Sequence, residues 1–461
     1  MQKKNKNVRV LKGFTLVESL VLLFIFAIVS AIFFQVYFAG TRLIIESKNR
    51  LGATALANQK MEIVRSVDYD TIGTKHWNGS AWVYGIPAGD LLEDETVSVN
   101  THSYNVYTFV QYVDDAFDGQ TPSDTIPTDY KRVRITVSWG DEGADQQVVL
   151  FGNFSPNGIE ASSGGGVLSI NVLDATGSGV SGASVHIVNS AAGVDTTGMT
   201  DSTGNLTLPG APAGTEAYVI TVSKNSYFGA STFPSYPTTA YNPVDVHASV
   251  VANVLNQKTI VMDQDADITL QTEDPFGTAI PSISFSLNGG RVLGTDPSDS
   301  SLVYGFSQTG STDSSGQESY TNESYGQYTF ALGSGVTDYS FYKLSPEGTT
   351  NTIYDAAPGS TTTLHAVLLD KNIGSVKVEV TNQADGSPVS GASVQLSNAT
   401  LVYDATVTTD QYGYAYFPEA LPELTAGTYD LAVTASGYGS ESDTVDVSGA
   451  LQVANIQMTA N

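Results

Sequence analysis

From Phe14 to Gly40 the chain reads FTLVESLVLLFIFAIVSAIFFQVYFAG, 27 residues with a single charged side chain, Glu18. As a helix this run is about 40 Å long, enough to cross a bilayer core of about 30 Å. After Gly40 the pattern becomes amphipathic with no proline. Ile45, Gly52, Leu56 and Ile63 fall on one stripe, flanked by Ile44, Leu51 and Ala55. Arg42–Glu46 and Glu46–Arg50 stand four apart on the other side. The pattern predicts one helix over 14–66, about 80 Å long, with 14–40 in an apolar medium.

Beyond the helix the period drops to two. Tyr104, Val106, Thr108, Val110 and Tyr112 alternate with Asn105, Tyr107, Phe109, Gln111 and Val113. Val133, Ile135, Val137 and Trp139 alternate with Arg132, Arg134, Thr136 and Ser138, and Gln147–Phe151 adds a further strand. Such alternation marks a half-buried antiparallel sheet, so 67–160 is read as a small β head on the exposed half of the helix. Ser155-Pro156-Asn157-Gly158 and the Ser/Gly run over 161–166 form a flexible tether.

The rest of the chain repeats itself. Gly182-Ala183-Ser184-Val185 returns as Gly391-Ala392-Ser393-Val394. Each is followed at the same distance by Thr200-Asp201-Ser202-Thr203-Gly204 and Thr409-Asp410-Gln411-Tyr412-Gly413, and Thr312-Asp313-Ser314-Ser315-Gly316 keeps the turn in a more worn middle copy. Tyr218 and Tyr227 are spaced like Tyr429 and Tyr438, while Tyr328-Thr329-Phe330 keeps the strand in the middle. Equal spacings at several points identify internal duplicates. Short alternating strands broken by Asp–Gly turns predict β-sandwiches over 167–264, 265–372 and 373–461.

Charge divides the molecule. Lys3, Lys4, Lys6, Arg9 and Lys12 precede the apolar run, so that flank stays cytoplasmic and the body lies outside. Residues 1–160 carry a net charge of −4 and residues 161–461 carry −23, out of −27 for the chain. This balance excludes a binder of nucleic-acid backbone. The absence of cysteine removes disulfides, thiolate metal sites and thiol nucleophiles together. His76, His102, His186, His247 and His365 show no metal spacing, and no GxSxG elbow or phosphate loop occurs. Asp263, Asp265 and Asp267 read as a solvated strand face, and Asp114, Asp115 and Asp118 as an Asp–Gly loop rather than a calcium cage. No enzyme, cofactor or metal site is expected.

Glu18 decides among three readings of the N-terminus. A cleaved secretory signal needs small residues one and three before the cut, and Tyr37 ahead of Gly40 is too large. A plain anchor leaves Glu18 without a purpose, at a cost of about 2.5–3.5 kcal/mol. A cut after Gly13 would make Phe14 a new N-terminal amine that Glu18 of a neighbouring subunit could pair with. Lys12-Gly13-Phe14-Thr15-Leu16-Val17-Glu18 resembles the processing site of type IV prepilins and pseudopilins. That resemblance implies a leader over 1–13, cleavage after Gly13 by a prepilin peptidase, N-methylation of Phe14, and filament assembly through Glu18. It also makes 14–40 a membrane span that becomes filament core. VDDAFDG followed by DYKRVRITVSW is similar, more loosely, to minor-pilin heads.

The repeats resemble carboxypeptidase-regulatory-like domains, whose transthyretin-like sandwich is shared with B-type surface repeats and borders on starch-binding-like folds. Some B-type repeats carry a Lys–Asn isopeptide bond. Lys377 and Asn455 occupy suitable strands, but Val433 stands where the resemblance calls for the acidic residue, so no such bond is expected. Leu421-Pro422-Glu423-Leu424-Thr425 lacks the spacing and the membrane tail of a sortase signal.

The fold class expected is therefore an α+β pilin-like module, a long helix plus a small antiparallel sheet, followed by three tandem all-β sandwiches. The function expected is that of a minor pilin or pseudopilin displaying an acidic arm for adhesion or surface interaction. Its partners would be other pilin subunits, the prepilin peptidase, the cytoplasmic membrane before assembly, and a host-cell, glycan or surface target. The alternatives are a membrane-anchored receptor with carbohydrate- or protein-binding sandwiches and a type II secretion pseudopilin.

Overall fold

A run without proline, apolar first and amphipathic after Gly40, carries the first element. In the computed structural model it is one α-helix, Leu16–Ser66, of 51 residues. The structure describes residues 16–99, 102–115, 128–140, 146–156, 164–420 and 423–461. Gly13, Phe14, Asp118, Leu421-Pro422 and most of the tether lie outside the described residues, as does the side chain of Glu18.

The second half of the helix packs on a four-stranded antiparallel sheet. Its strands lie in the order Asp94–Val99, His102–Val113, Tyr130–Ser138 and Gln147–Phe154. The inward face is the alternation anticipated: Tyr104, Val106, Val110, Val133, Ile135, Val137 and Trp139 are buried together. The helix face differs from expectation. Ala53, Leu56, Ala57, Met61 and Val64 form the packed stripe, whereas Ile44, Ile45, Leu51 and Ile63 are exposed. Alanine brings the helix axis close to the sheet, and the larger aliphatics are rotated outward. Gly52 belongs to this close approach, because a Cβ there would fall 2.3 Å from the Tyr104 hydroxyl. Glu46 does take a partner, but it is Trp139, whose Nε1 donates to it at 3.2 Å.

From Gly166 onward one connectivity returns three times. The opening strand pairs antiparallel with the strand after the Asp–Gly turn and parallel with the closing strand. Gly166–Leu173 lies between Asn205–Ala211 and Leu255–Val261. Ala266–Glu273 lies between Gln317–Glu323 and Thr361–Asp370, and Ser375–Asn382 between Tyr414–Phe417 and Leu451–Met458. A second sheet faces each of these. Its strands include Ser184–Asn189 and Gly214–Ser223 in the first copy, Ser284–Thr295 and Gly326–Leu332 in the second, and Ser393–Asn398 and Gly427–Thr434 in the third. The two inner faces of each pair share one core, for example Leu168, Ile170, Val185, Ile187 and Ile220 in the first.

The repeated residues have repeated jobs. Asp201 Oδ1 accepts from the amides of Thr203 and Asn205 at 2.8 and 3.0 Å; Asp313 and Asp410 do the same two and four residues on. Gly204, Gly316 and Gly413 close these turns at φ of +81°, +75° and +76°, where a side chain would be strained. The threonine before each aspartate is buried. Thr200 and Thr409 accept from Ala183 N and Ala392 N and donate to Val180 O and Val389 O, tying the turn to the next strand. Tyr218, Tyr328 and Tyr429 are wholly enclosed, and each hydroxyl donates to a carbonyl a few residues upstream: Pro212, Ser324 and Thr425.

Candidate functional site

Glu18 lies on the helix near its start, among Leu16, Val17, Leu20 and Val21, whose side chains are exposed. Exposed apolar side chains continue to Phe38. By length and composition this is a helix able to cross a membrane. Gly13, Phe14 and the Glu18 side chain lie outside what the structure describes. What it builds instead is a series of joints that fix each part of the chain to the next.

The joint between head and first repeat centres on Glu93, 3% exposed. Its carboxylate accepts from His76 Nδ1 at 2.9 Å, the Thr197 amide at 3.2 Å and the Thr196 hydroxyl at 3.3 Å. The Tyr107 hydroxyl lies 3.3 Å away and donates to the Thr197 carbonyl. His76 Nε2 stands 3.6 Å from Asp195, which also holds His186 Nε2 at 2.7 Å. Burial pushes the Glu93 carboxyl above its ordinary value, opposed by the bonds from Thr197 and His76. Burial likewise raises Tyr107. The hairpin Thr74–Trp77 and Trp82–Tyr84 supports the joint, because Tyr84 pairs with Val194 and its amide donates to Gly193 O at 2.8 Å. Sequence spacing gave no sign of this group. Glu93, His76 and Asp195 come from three distant segments, and only the apolar company of Glu93 in LLEDETV hints at burial.

Between the first and second repeats, the short strand Asn242–Pro243 joins the sheet of Ser284–Thr295. Asp245 bridges Arg291 at 2.6 Å and Lys258 at 3.3 Å. Of Asp263, Asp265 and Asp267, expected as a solvated face, Asp263 departs from that reading. Asp263 is buried and accepts from the Ala175 amide at 3.0 Å, and Asp267 accepts from the Asn322 amide at 3.0 Å. Backbone amides at this junction supply the partners that solvent would otherwise provide.

Between the second and third repeats, Lys343 Nζ is 3.1 Å from both Asp410 and Glu347. Burial pulls Lys343 down, but the bonds and charge of Asp410 outweigh it, so the amine is held above its usual value. Asp410 thus serves its own turn through one oxygen and the joint through the other. Phe276, Tyr342 and Tyr416 pack beside it, and the Tyr412 hydroxyl donates to Gly348 O at 3.0 Å. Lys377 points away from the core of Val376 and Val378, lies 2.8 Å from Glu379 and caps the Tyr414 ring at 3.8 Å. It is in register with Val453, and Asn455 stands opposite Glu379.

One aromatic pair faces outward. Trp77 and Trp82 make an edge-to-face pair at 5.7 Å, with Lys75 above Trp82. Among the described residues no group of three His, Asp or Glu side chains is disposed to hold a metal ion.

Residues 375–459 match the model of the carboxypeptidase regulatory-like domain, a span running from the opening to the closing strand of the third repeat. No curated protein matches the chain. Among solved structures it is similar to the Bacillus anthracis TIE protein at 15% identity, covering 86% of this chain and 74% of that one, with a TM-score of 0.20. It is similar to a streptococcal ancillary pilin at 13% identity, covering 64% and 99%, with a TM-score of 0.19. A third similarity is to BcpA, the major pilin subunit of Bacillus cereus, at 11% identity, covering 64% and 100%, with a TM-score of 0.16. At such scores the likeness does not extend to a common arrangement of the chain, and no function is carried across.

Proposed function

We propose that this chain is a minor pilin or pseudopilin of a type IV pilus-like filament, which displays a rigidly jointed acidic arm at the cell surface and carries out no catalysis. The continuity of the helix carries this reading. One unbroken element runs from an exposed, membrane-length apolar half into the core of an antiparallel head, and the sequence Lys12-Gly13-Phe14-Thr15-Leu16-Val17-Glu18 stands at its start. On this reading the precursor sits in the cytoplasmic membrane as a single-pass protein. A prepilin peptidase cuts after Gly13 and Phe14 is N-methylated. The amine of Phe14 then pairs with Glu18 of a neighbour as the apolar halves pack side by side, because a buried carboxylate without a partner is expelled. Other pilin subunits are the partners of the helix, and a surface target is the partner of the arm.

Mass spectrometry of the mature N-terminus from the native host tests this directly. A chain beginning at N-methylated Phe14 is expected. A chain beginning at Met1 would instead make the protein a membrane-anchored β-domain receptor. Glu18→Ala should insert into the membrane normally and enter filaments poorly, and normal incorporation would refute the pairing.

A further inference from the structure

The face of the head sheet turned away from the helix carries two arginines that no carboxylate answers among the described residues. Arg132 and Arg134 stand two apart on one face of Tyr130–Ser138. The sequence holds 47 carboxylates against 20 lysines and arginines, yet neither arginine pairs with a carboxylate among the described residues. Arg132 donates only to Asn153 Oδ1 and the Tyr130 hydroxyl, both at 3.1 Å. Arg134 lies against the rings of Tyr107 and Phe109, and its Nε is buried with no acceptor. A buried donor left unpaired is uncommon enough in folded proteins to require an explanation.

Beside these arginines runs an unprotected strand. Among the described residues Gln147–Phe154 is the last strand of its sheet, pairing with Tyr130–Ser138 on one side only. Its sequence, QVVLFGNF, contains no charged residue and no proline. Natural edges are normally blunted by charge, proline, a bulge or a cover, and this one presents Val149 and Phe151 to solvent, Phe151 at 59% exposure. Phe151 is directly opposite Arg134, and Asn153 is opposite Arg132. Two clefts meet at Phe151. One, of about 480 Å³, contains Arg134 and runs to Met199 and Thr197 of the first repeat, and the other, of about 400 Å³, contains Arg132 and Asn153.

We propose that Gln147–Phe154 is a docking edge for an extended acidic segment of another protein, which adds to the head sheet as a fifth strand. Its main chain would bond to the free edge of Gln147–Phe154. Glutamates two residues apart would project over Phe151 to the guanidiniums of Arg132 and Arg134, because side chains on one face of a strand recur every second residue. Arginine suits this role, since its planar fork holds carboxylate through paired bonds. The occupant is acidic because, among the described residues, the charges left unanswered on this face are those of Arg132 and Arg134. The site is independent of how the N-terminus is processed.

The test uses the full chain in detergent micelles and two synthetic peptides, one alternating threonine with glutamate and one alternating threonine with lysine. The glutamate peptide should bind, lose affinity as salt is raised, and slow hydrogen exchange at the amides of Gln147–Phe154. Arg132→Gln lies on the sheet surface and leaves the core intact, so it should weaken binding about tenfold, the value of one charge-assisted contact. Phe151→Glu, at an exposed position, should abolish binding. Equal binding of the two peptides, binding of neither, unchanged affinity in Arg132→Gln, or protection confined to other strands would each overturn the proposal. So would self-association of the chain through this edge that the glutamate peptide fails to displace.

Discussion

A single hydroxyl shows how closely the repeats are specified. Thr409 is buried and bridges Ala392 N at 2.9 Å to Val389 O at 2.7 Å. Thr409→Val keeps the shape and removes both bonds, leaving a buried amide and a buried carbonyl unmet. The expected loss is about 1–3 kcal/mol, seen as a lower midpoint in denaturant with unchanged slope. Thr200→Val, with the same two partners in the first copy, should cost a similar amount. Glu93 gives a prediction in pH. Its folded pKa lies above its ordinary value, so the neutral form is the one the fold favours. The stability it contributes is therefore complete below the unfolded value of about 4.3 and is lost as pH rises through the folded value. His76, Asp195, His186 and Asp94 face the same group. Glu93→Gln should thus gain in melting temperature relative to the native chain as pH rises across that window, and a constant difference would refute the assignment. These residues also mark what could be read in advance. The Thr-Asp turns and enclosed tyrosines were legible because their partners lie within a few residues or recur at fixed spacing. Glu93 was not, because its partners are joined only by folding.

At the scale of elements, the long helix was legible in outline and misread in orientation. Periodicity marks which residues are apolar, but the packed stripe is chosen by size where helix and sheet approach closely, and Ala53 and Ala57 permit an approach that Ile45 and Leu51 would block. The two orientations predict opposite mutational results. Met61→Ala should cost about 2–5 kcal/mol by opening a cavity against the sheet. Ile63→Ser, at a position 43% exposed, should stay within about 0.5 kcal/mol of the native chain. Thermal unfolding of the two variants separates the stripes, and the reverse order would restore the one drawn from periodicity. The head sheet was legible on both counts, since a strand has only two faces and one of them alternates cleanly in Val133, Ile135 and Val137.

At the scale of the whole molecule, the repeats were visible in the sequence and their joints were not. Each joint closes on ionic or polar groups distant in sequence: Glu93 with Thr197 and His76 with Asp195, Asp245 with Arg291, Asp410 with Lys343. The 29 acidic side chains of residues 161–461 therefore do not all serve solubility, because several are spent in fixing one unit to the next. The parallel pairing of opening and closing strands has a mechanical consequence. In Gly166–Leu173 with Leu255–Val261, and again in Ser375–Asn382 with Leu451–Met458, the two strands run in the same direction. The chain therefore enters each pair at one end and leaves at the other. Tension on the arm pulls these strands past one another and loads their whole ladder of bonds in shear at once, whereas an antiparallel closing pair would open one bond at a time like a zip. On the proposed function, an arm stretched between a filament and a surface is thereby strongest along the line in which it is pulled.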